Sequence, residues 1–308
     1  MTNRVKIAVA CYIISGLALA YVVVTIFLAP SSQEEFENYV QVLQENHRLT
    51  FSVDCCPEGA SKEEEGYTVE FSDNLDKINY NLETITECIK EIPVGLLEEI
   101  SAAAYLTMVD GEYMYTPDST KALEGYDSFT QTKKELHLVL CESVSRAGKE
   151  IGGYFLKDEE HNYLVLSLGS KGGMRNTFFH EFFHLLDDKS GFMQSVLKLS
   201  GFAGWREYNP PEFEYSTDAS HYVLGIAENK EDVYFISEYA TTTSFEDRAD
   251  LFEYLMSLED KSEFDELMQY PNLKKKIEFM SACIMEAYPS VTEDNCFQWQ
   301  KWLSTYIK

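Results

Sequence analysis

The first feature in the pattern of apolar and polar residues is one long apolar segment without charges. Residues 7–28 contain no charged side chain. A helix of that length rises about 33 Å, which is enough to cross the hydrocarbon core of a bilayer. Arg4 and Lys6 precede the segment, and the nearest charges after it are Glu34 and Glu35. Because positive flanks stay inside, we predict a transmembrane anchor that leaves the rest of the chain outside the cell.

A cleaved secretory signal is the alternative reading of this segment. Its apolar run is longer than the roughly 7 to 15 residues of a signal core, and Pro30 follows the small residue at its end, which suits cleavage poorly. A lipoprotein modified at Cys11 fits less well, since most of the apolar run follows that cysteine. We therefore favour a single-pass protein of the cell membrane, secreted only if the segment is cleaved.

Beyond the anchor, the periodicity predicts helices, then strands, then helices again. Ser32 and Glu35 have the spacing of a capping box, and the helical pattern resumes over residues 74–109. Strands are predicted over residues 134–141, 152–156 and 162–168. A short polar connection joins the last two of these strands. A further helix is expected over residues 274–287.

The acidic balance of the chain restricts its partners. The sequence has 52 acidic and 25 basic residues, with a formal net charge of −27. Such a surface repels nucleic acid and anionic headgroups, so we expect no nucleic-acid partner and no catalytic surface lying on the membrane. A cationic peptide substrate is compatible with this charge but does not follow from it.

The cysteines leave the redox state open. Six follow Cys11: Cys55, Cys56, Cys88, Cys141, Cys283 and Cys296. None forms a CxxC pair, which argues against a thiolate zinc site, and the sequence alone does not choose a disulfide connectivity. Extracellular disulfides and buried reduced thiols therefore both remain open.

The chemistry is indicated by residues 180–187, which read HEFFHLLD. His180 and His184 are one helical turn apart, so both imidazoles leave the same helix face. Glu181 follows the first histidine directly. Two such histidines with an adjacent glutamate form the HExxH pattern, in which the histidines bind zinc and the glutamate acts as general base. An amphipathic core helix with two chance histidines is the alternative.

The remaining residues around this motif are assigned by type. The phenylalanines on the predicted zinc helix are expected to form its packing side: Phe178, Phe179, Phe182 and Phe183. The isolated histidines are not assigned to metal: His47, His137, His161 and His221.

A third ligand is expected on a later helix, within residues 237–256. Ser244 can cap that helix, and Glu246 and Asp250 share one of its faces because they are four residues apart. A solvated acidic face is the alternative in a chain this acidic.

These motifs, taken together, resemble the anthrax lethal factor-like metallopeptidases, a gluzincin group that includes the Pro-Pro endopeptidases. The likeness rests on the HEFFH helix followed by a tyrosine, six residues, a glutamate, three residues and a second acid. It extends over about residues 135–289 and includes the WREYNPPEFEY stretch.

The resemblance implies one Zn²⁺ per chain and a role for each matching residue. His180, His184 and Glu246 would be the metal ligands, and Glu181 the general base. Tyr239 would face the oxyanion of the reaction. Asp250 stands where the family usually has glutamate, which puts its contact to a ligating histidine in doubt. The bulky Phe183 stands where the family commonly has a small residue.

We therefore expect an α+β fold, with a zincin-like domain of a small sheet, a zinc-binding helix and a mainly helical lower lobe behind one transmembrane helix. The expected parts are the anchor at residues 1–29, a mainly helical region at 30–134 and the catalytic domain at 135–308. The expected function is that of a membrane-anchored extracellular zinc endopeptidase acting on proteins or peptides. Two alternatives remain: a catalytically silent domain of the same fold that binds peptides or partners, and a structural or sensor ectodomain without metal.

An intramembrane zinc protease is not favoured. Such enzymes carry the motif within a membrane span, whereas here no second long apolar segment surrounds it.

Overall fold

The computed structural model describes residues 31–47, 49–53, 55–101, 104–109, 112–116, 128–131, 134–197, 201–216 and 219–307. Across these ranges, no helix combines the length and the apolar character needed to span a bilayer. The predicted anchor over residues 7–28 lies outside them.

The described residues form a mixed α and β fold. Its α-helices are α1 Ser32–His47, α2 Leu75–Lys90, α3 Leu96–Ser101, α4 Met174–Leu197, α5 Ser244–Ser257, α6 Lys261–Leu267, α7 Pro271–Ala287 and α8 Gln298–Leu303. Its strands are β1 Thr50–Ser52, β2 Tyr67–Glu70, β3 Ala104–Val109, β4 Glu112–Thr116, β5 Ser128–Gln131, β6 Glu135–Cys141, β7 Ser143–Arg146, β8 Lys149–Ile151, β9 Gly153–Lys157 and β10 His161–Ser167.

A four-stranded sheet with the order β1-β6-β10-β9 forms the frame of the molecule. Strands β1, β6 and β10 are parallel, while β9 runs antiparallel to β10 and forms one edge. The predicted strands over residues 134–141, 152–156 and 162–168 are therefore confirmed as β6, β9 and β10. Two smaller antiparallel sheets have the orders β2-β7-β8 and β4-β3-β5.

Both faces of the four-stranded sheet are covered, which explains why β6 and β10 read as nearly continuous apolar runs. Leu138 and Leu164 face the helical core that contains α4. Val139 and Val165 face a separate cluster that includes Tyr67 of β2. The helices therefore lie on one side of this sheet, and the β2-β7-β8 sheet lies on the other.

Three local predictions need correction. The capping box of α1 is formed by Ser31 and Glu34, because the Glu34 amide donates to the Ser31 hydroxyl at 3.2 Å and Glu34 accepts from the Ser31 amide at 2.9 Å. The helical pattern predicted over residues 74–109 ends with α3 at Ser101, and Ala104–Val109 is a strand. A nearly continuous apolar run fits a buried helix and a strand equally well, so periodicity alone did not separate them.

The third correction concerns α5, whose N-cap is Thr243 rather than Ser244. The predicted boundary at residues 134 and 135 stays a prediction. Strand β1, from before that boundary, pairs in parallel with β6 after it.

Candidate metal centre and substrate cleft

Helix α4 holds the HExxH motif between the hydrophobic core and an open cleft. All four predicted packing phenylalanines are at most 1% exposed. Phe183 fills space between helices, with ring centroids 5.6 Å from Phe202 and 5.0 Å from Phe252. The residue that departs from the family pattern is thus a core residue. Because these rings fix one face of α4, the opposite face presents His180 and His184 to the cleft.

Helix α5 brings the third predicted ligand to the two histidines. One Glu246 carboxylate oxygen lies 3.1 Å from Nε2 of His180 and 3.3 Å from Nε2 of His184. The Glu246 amide donates to the Thr243 hydroxyl at 3.1 Å, which fixes this residue in the first turn of α5. The structure therefore brings together the three residues that the sequence selected as ligands.

The donor set fits zinc. A tetrahedral ion with bonds of about 2.0 to 2.1 Å separates its ligand atoms by roughly 3.3 Å, close to the two distances above. His180, His184 and Glu246 each offer one ligand atom, and these atoms all lie within 4.8 Å of one another. Two imidazoles and one carboxylate leave a fourth position for water or substrate, as catalytic zinc sites do.

The other ring nitrogen of His180 faces two more carboxylates of α5. Its Nδ1 lies 3.1 Å from Glu253 and 3.2 Å from Asp250. The shorter side chain of Asp250 therefore still reaches His180, and the Ser237 hydroxyl donates to the second oxygen of Asp250. Such a carboxylate holds the Nδ1 proton in place and leaves Nε2 for the metal.

The electrostatics of the site favour a cation. Burial alone would raise the pKa of Glu246, but hydrogen bonds from His180 and His184 hold it well below its usual range. Burial would lower the pKa of His180, yet its bonds to Asp250, Glu246 and Glu253 raise it well above the usual value. The lowered pKa keeps Glu246 ionised, and the raised pKa shows that the carboxylates around His180 favour a positive charge beside them.

Glu181 lies at the boundary between α4 and strand β9. Its side chain is 6% exposed, and burial raises the pKa of its carboxyl, with a further increase from Glu246 and an opposing effect of the two histidines. A Cβ at Gly153 would come within 2.4 Å of the Val165 carbonyl oxygen and 3.4 Å of Cγ of Glu181. Only glycine therefore fits at this position of β9 beside the predicted base.

Tyr239 lies on the rim of the cleft, in a short 3-10 helix, Tyr239–Thr241, that precedes α5. Its ring centroid is 6.0 Å from that of His180. Burial of the hydroxyl, together with the nearby Glu246 carboxylate, raises the pKa of Tyr239, which keeps it a hydrogen-bond donor at neutral pH. The Ser237 hydroxyl accepts from the Ala240 amide at 3.1 Å, so one serine links this turn to Asp250.

Two buried ion pairs anchor α5 from behind. Asp247 accepts from Lys276 of α7 at 2.7 Å, and both side chains are almost fully buried. Arg248 donates to Asp187 of α4 at 2.6 Å. Asp247 and Arg248 do not line the cleft, so α5 presents Glu246 to the cleft while its other side is fixed to α4 and α7.

The cleft itself has a volume of about 600 Å³ and extends from the predicted metal centre along strand β9. The Gly152 carbonyl accepts from Ser167 of β10 at 2.8 Å, so Gly152 faces the sheet. Backbone directions alternate along a strand, and Gly153 and Phe155 therefore direct their amide and carbonyl groups to the open edge. Among the described strands none pairs with that edge, which lies next to Glu181 and whose Phe155 carbonyl accepts only a weak bond from Lys62 at 3.4 Å.

Glu253, Ser237 and Gly153 are the site residues that sequence reasoning missed. Glu253 is seven residues after Glu246, so extending the helical face by one more turn would have selected it. Among the described histidines, His137, His161 and His221 belong to none of the groups that could hold a metal.

The comparisons with known proteins are sparse. No family model matches the chain. No curated protein matches it. Among solved structures, the chain is similar to a protein of Bacteroides caccae ATCC 43185 described as a candidate zinc-binding metallo-peptidase, at 13% identity and a TM-score of 0.43, over 90% of this chain and 93% of that one.

Proposed function

We propose that this chain is a zinc-dependent endopeptidase of the HExxH, gluzincin type. The observation that carries the proposal is the convergence of His180, His184 and Glu246 on one point, with Glu181 buried beside it. A structural zinc site would have four protein ligands and no need for a carboxylate base, whereas three ligands beside an open cleft match catalytic sites.

A zinc ion held there would supply Lewis acidity toward the substrate carbonyl and the attacking water. Glu181 takes the proton of that water and passes it to the leaving amine. Its raised pKa suits this exchange, because a carboxyl that holds the proton more firmly can both accept and return it. Tyr239 donates to the carbonyl oxygen as negative charge develops there, an effect often worth roughly 3 kcal/mol.

The substrate in this proposal is an extended peptide that adds as a strand to the open edge of β9. The outward backbone groups of Gly153 and Phe155 would pair with it, which accounts for affinity without fixing a side-chain sequence. The peptide then passes directly over Glu181, since that side chain lies against Gly153.

The membrane anchor and the extracellular location remain part of the proposal, and they rest on the sequence of residues 7–28 and its charged flanks. The test is fractionation of expressing cells, followed by treatment of intact cells with an added protease. We expect the chain in the membrane fraction with its C-terminal part degraded from outside. A chain found only in the medium would indicate cleavage of the segment.

The catalytic proposal is tested by metal content and peptide cleavage on the same purified samples. We expect one zinc per chain, lost in His184→Ala and in Glu246→Ala. Glu181→Gln should keep the metal but lose cleavage of a peptide library, because the amide cannot accept the proton. Full zinc without cleavage of any peptide would instead favour a catalytically silent binding domain, and no zinc in the wild-type protein would overturn the site.

A further inference from the structure

Two cations line the upper wall of the substrate cleft. Lys62 lies over the rings of Tyr67 and Tyr154, with its Nζ 5.4 and 5.3 Å from their centroids. Arg146 covers the Tyr67 ring at 5.0 Å. Tyr67 and Tyr154 are themselves buried, so the wall that carries the cations is rigid.

These are the only lysine and arginine among the described residues that line the cleft. Neither forms an ion pair with a carboxylate in the described part of the chain, although the net charge is −27. By contrast, Lys157 and Arg175 are each paired, with Asp188 and Glu91.

The described acidic side chains next to Lys62 in sequence do not pair with it. Glu63 and Glu65 are exposed on the adjacent short helix and make no ion pair with it. Two cations without an ion pair among the described residues are a specific feature of the cleft, because the acidic surface of the molecule supplies many carboxylates that could pair with them.

The cations lie close to the reacting centre. Lys62 donates weakly, at 3.4 Å, to the Phe155 carbonyl on the open edge of β9. Phe155 is two residues beyond Gly153, next to which Glu181 lies. At about 3.3 Å per residue, a strand paired with β9 would place a side chain near Lys62 within roughly two residues of the scissile bond.

We propose that Lys62 and Arg146 form a subsite that binds a carboxylate of the substrate, so that the cleft selects acidic peptides. The inference deepens the endopeptidase proposal and rests on it. One ammonium and one guanidinium group, each held over an aromatic face, recognise a carboxylate by charge-assisted hydrogen bonds. The carboxylate has two possible sources, an acidic side chain or the C-terminus of a short peptide.

The test compares peptide libraries in which Glu or Gln is fixed at each position, made with either a free or an amidated C-terminus. Cleavage is measured with the wild-type protein. Binding is measured by fluorescence polarisation of the same labelled peptides on Glu181→Gln, which reports recognition without turnover. The variants are Lys62→Met with Arg146→Gln, and Lys275→Met as control, an exposed lysine of α7 outside the cleft.

We expect about a tenfold preference for Glu over Gln at one position, as the loss of a charged hydrogen bond implies. The double variant should reduce this preference to within about twofold, while Lys275→Met keeps it. Dependence on an internal glutamate would identify the side chain as the source. Dependence on the free C-terminus would identify the terminal carboxylate.

The two proposals fail in different ways. Cleavage that ignores charge, or a preference that survives in the double variant, overturns the subsite and leaves the endopeptidase intact. Charge-selective binding without cleavage supports the subsite and counts against the endopeptidase. If the protein shows no cleavage and no charge-selective binding, both proposals are overturned.

Discussion

His180 is the residue on which the candidate site depends most. Its Nε2 faces Glu246 at 3.1 Å, and its Nδ1 faces Asp250 and Glu253 at 3.2 and 3.1 Å. The ring is therefore held from both sides by side chains of one helix. Asp250 is one methylene shorter than a glutamate, and Glu253 supplies a second carboxylate at the same ring nitrogen. Two acids therefore share the contact that a single glutamate could make.

This sharing gives a prediction about zinc affinity. Asp250→Asn and Glu253→Gln should each weaken zinc binding by less than about tenfold, because one carboxylate still holds the Nδ1 proton. The double variant should lose about 10- to 100-fold, the range typical for removing such a contact. Competition with a chromophoric chelator measures all three.

The control for this series is Glu259→Gln, an exposed acid just beyond α5. If one single variant lost as much zinc affinity as the double variant, Asp250 and Glu253 would not share the contact to His180.

At the residue scale, spacing along the chain was sufficient to select the three candidate ligands. His180, His184 and Glu246 lie on two helices whose periodicity is visible in the sequence. Ser237 was not accessible in this way, because its contact to Asp250 depends on how the loop before Tyr239 folds back. A loop has no regular spacing of residues along the sequence, so its contacts cannot be predicted from spacing as those of a helix can.

At the scale of elements, the position of α5 depends on charges buried behind it. Asp247 accepts from Lys276, from the Trp205 indole at 2.7 Å and from the Tyr215 hydroxyl at 2.8 Å. Breaking a buried pair is costly because one charge is left without its partner. The stability of the helix that carries Glu246 is therefore tied to α7.

We predict that Lys276→Met lowers the free energy of unfolding by about 3 to 5 kcal/mol. Adding Asp247→Leu should recover part of that loss, since the uncompensated charge is then removed. Urea unfolding monitored by tryptophan fluorescence gives both values.

Lys274→Met is the matched control on the same helix. Lys274 forms an exposed pair with Glu278 at 3.8 Å, and its loss should cost less than about 1 kcal/mol. Similar costs for the two lysines would show that burial of the Lys276 pair does not matter.

The elements near the site were predictable to different degrees. The hairpin of β9 and β10 was visible because its two apolar strands are close in sequence and are separated by a short polar connection. The partnership of β1 with β6 was not, since Thr50 pairs with His137 across a long stretch of chain. The pairing of β2 with β7, which brings Tyr67 beside Arg146 in the wall of the cleft, was missed for the same reason.

At the scale of the whole molecule, the described cysteines differ in burial, and burial sets their reactivity. The six described cysteines form no disulfide with one another. Burial raises the pKa of Cys88 and of Cys141 to about 12. A thiol in that state is a poor nucleophile at neutral pH.

We therefore predict that a thiol reagent modifies exposed Cys55 first, and that Cys88 and Cys141 react only on unfolding. Mass spectrometry after alkylation with and without urea would show this order. Parallel samples treated with reductant serve as the control, and they should have the same thermal midpoint. A lower midpoint after reduction would reveal a stabilising disulfide.

The acidic net charge links occupancy of the candidate metal centre to the stability of the fold. Glu181, Glu246, Asp250 and Glu253 all lie around His180 in a molecule whose formal charge is −27. Without a divalent cation these carboxylates repel one another and the surrounding acidic surface. A ligand that binds only the folded state stabilises it, by about 2.7 kcal/mol at one hundred times its dissociation constant.

We predict that chelation lowers the thermal midpoint of the protein and that added zinc restores it. The decrease should be larger at 10 mM salt than at 0.5 M salt, because the Debye length shrinks from about 30 Å to a few Å and screens the repulsion in the metal-free state. Differential scanning fluorimetry at both salt concentrations measures the effect. His184→Ala is the control, since it lacks a ligand and its midpoint should not respond to zinc. A wild-type midpoint unchanged by chelation at low salt would mean that this carboxylate cluster does not depend on a cation.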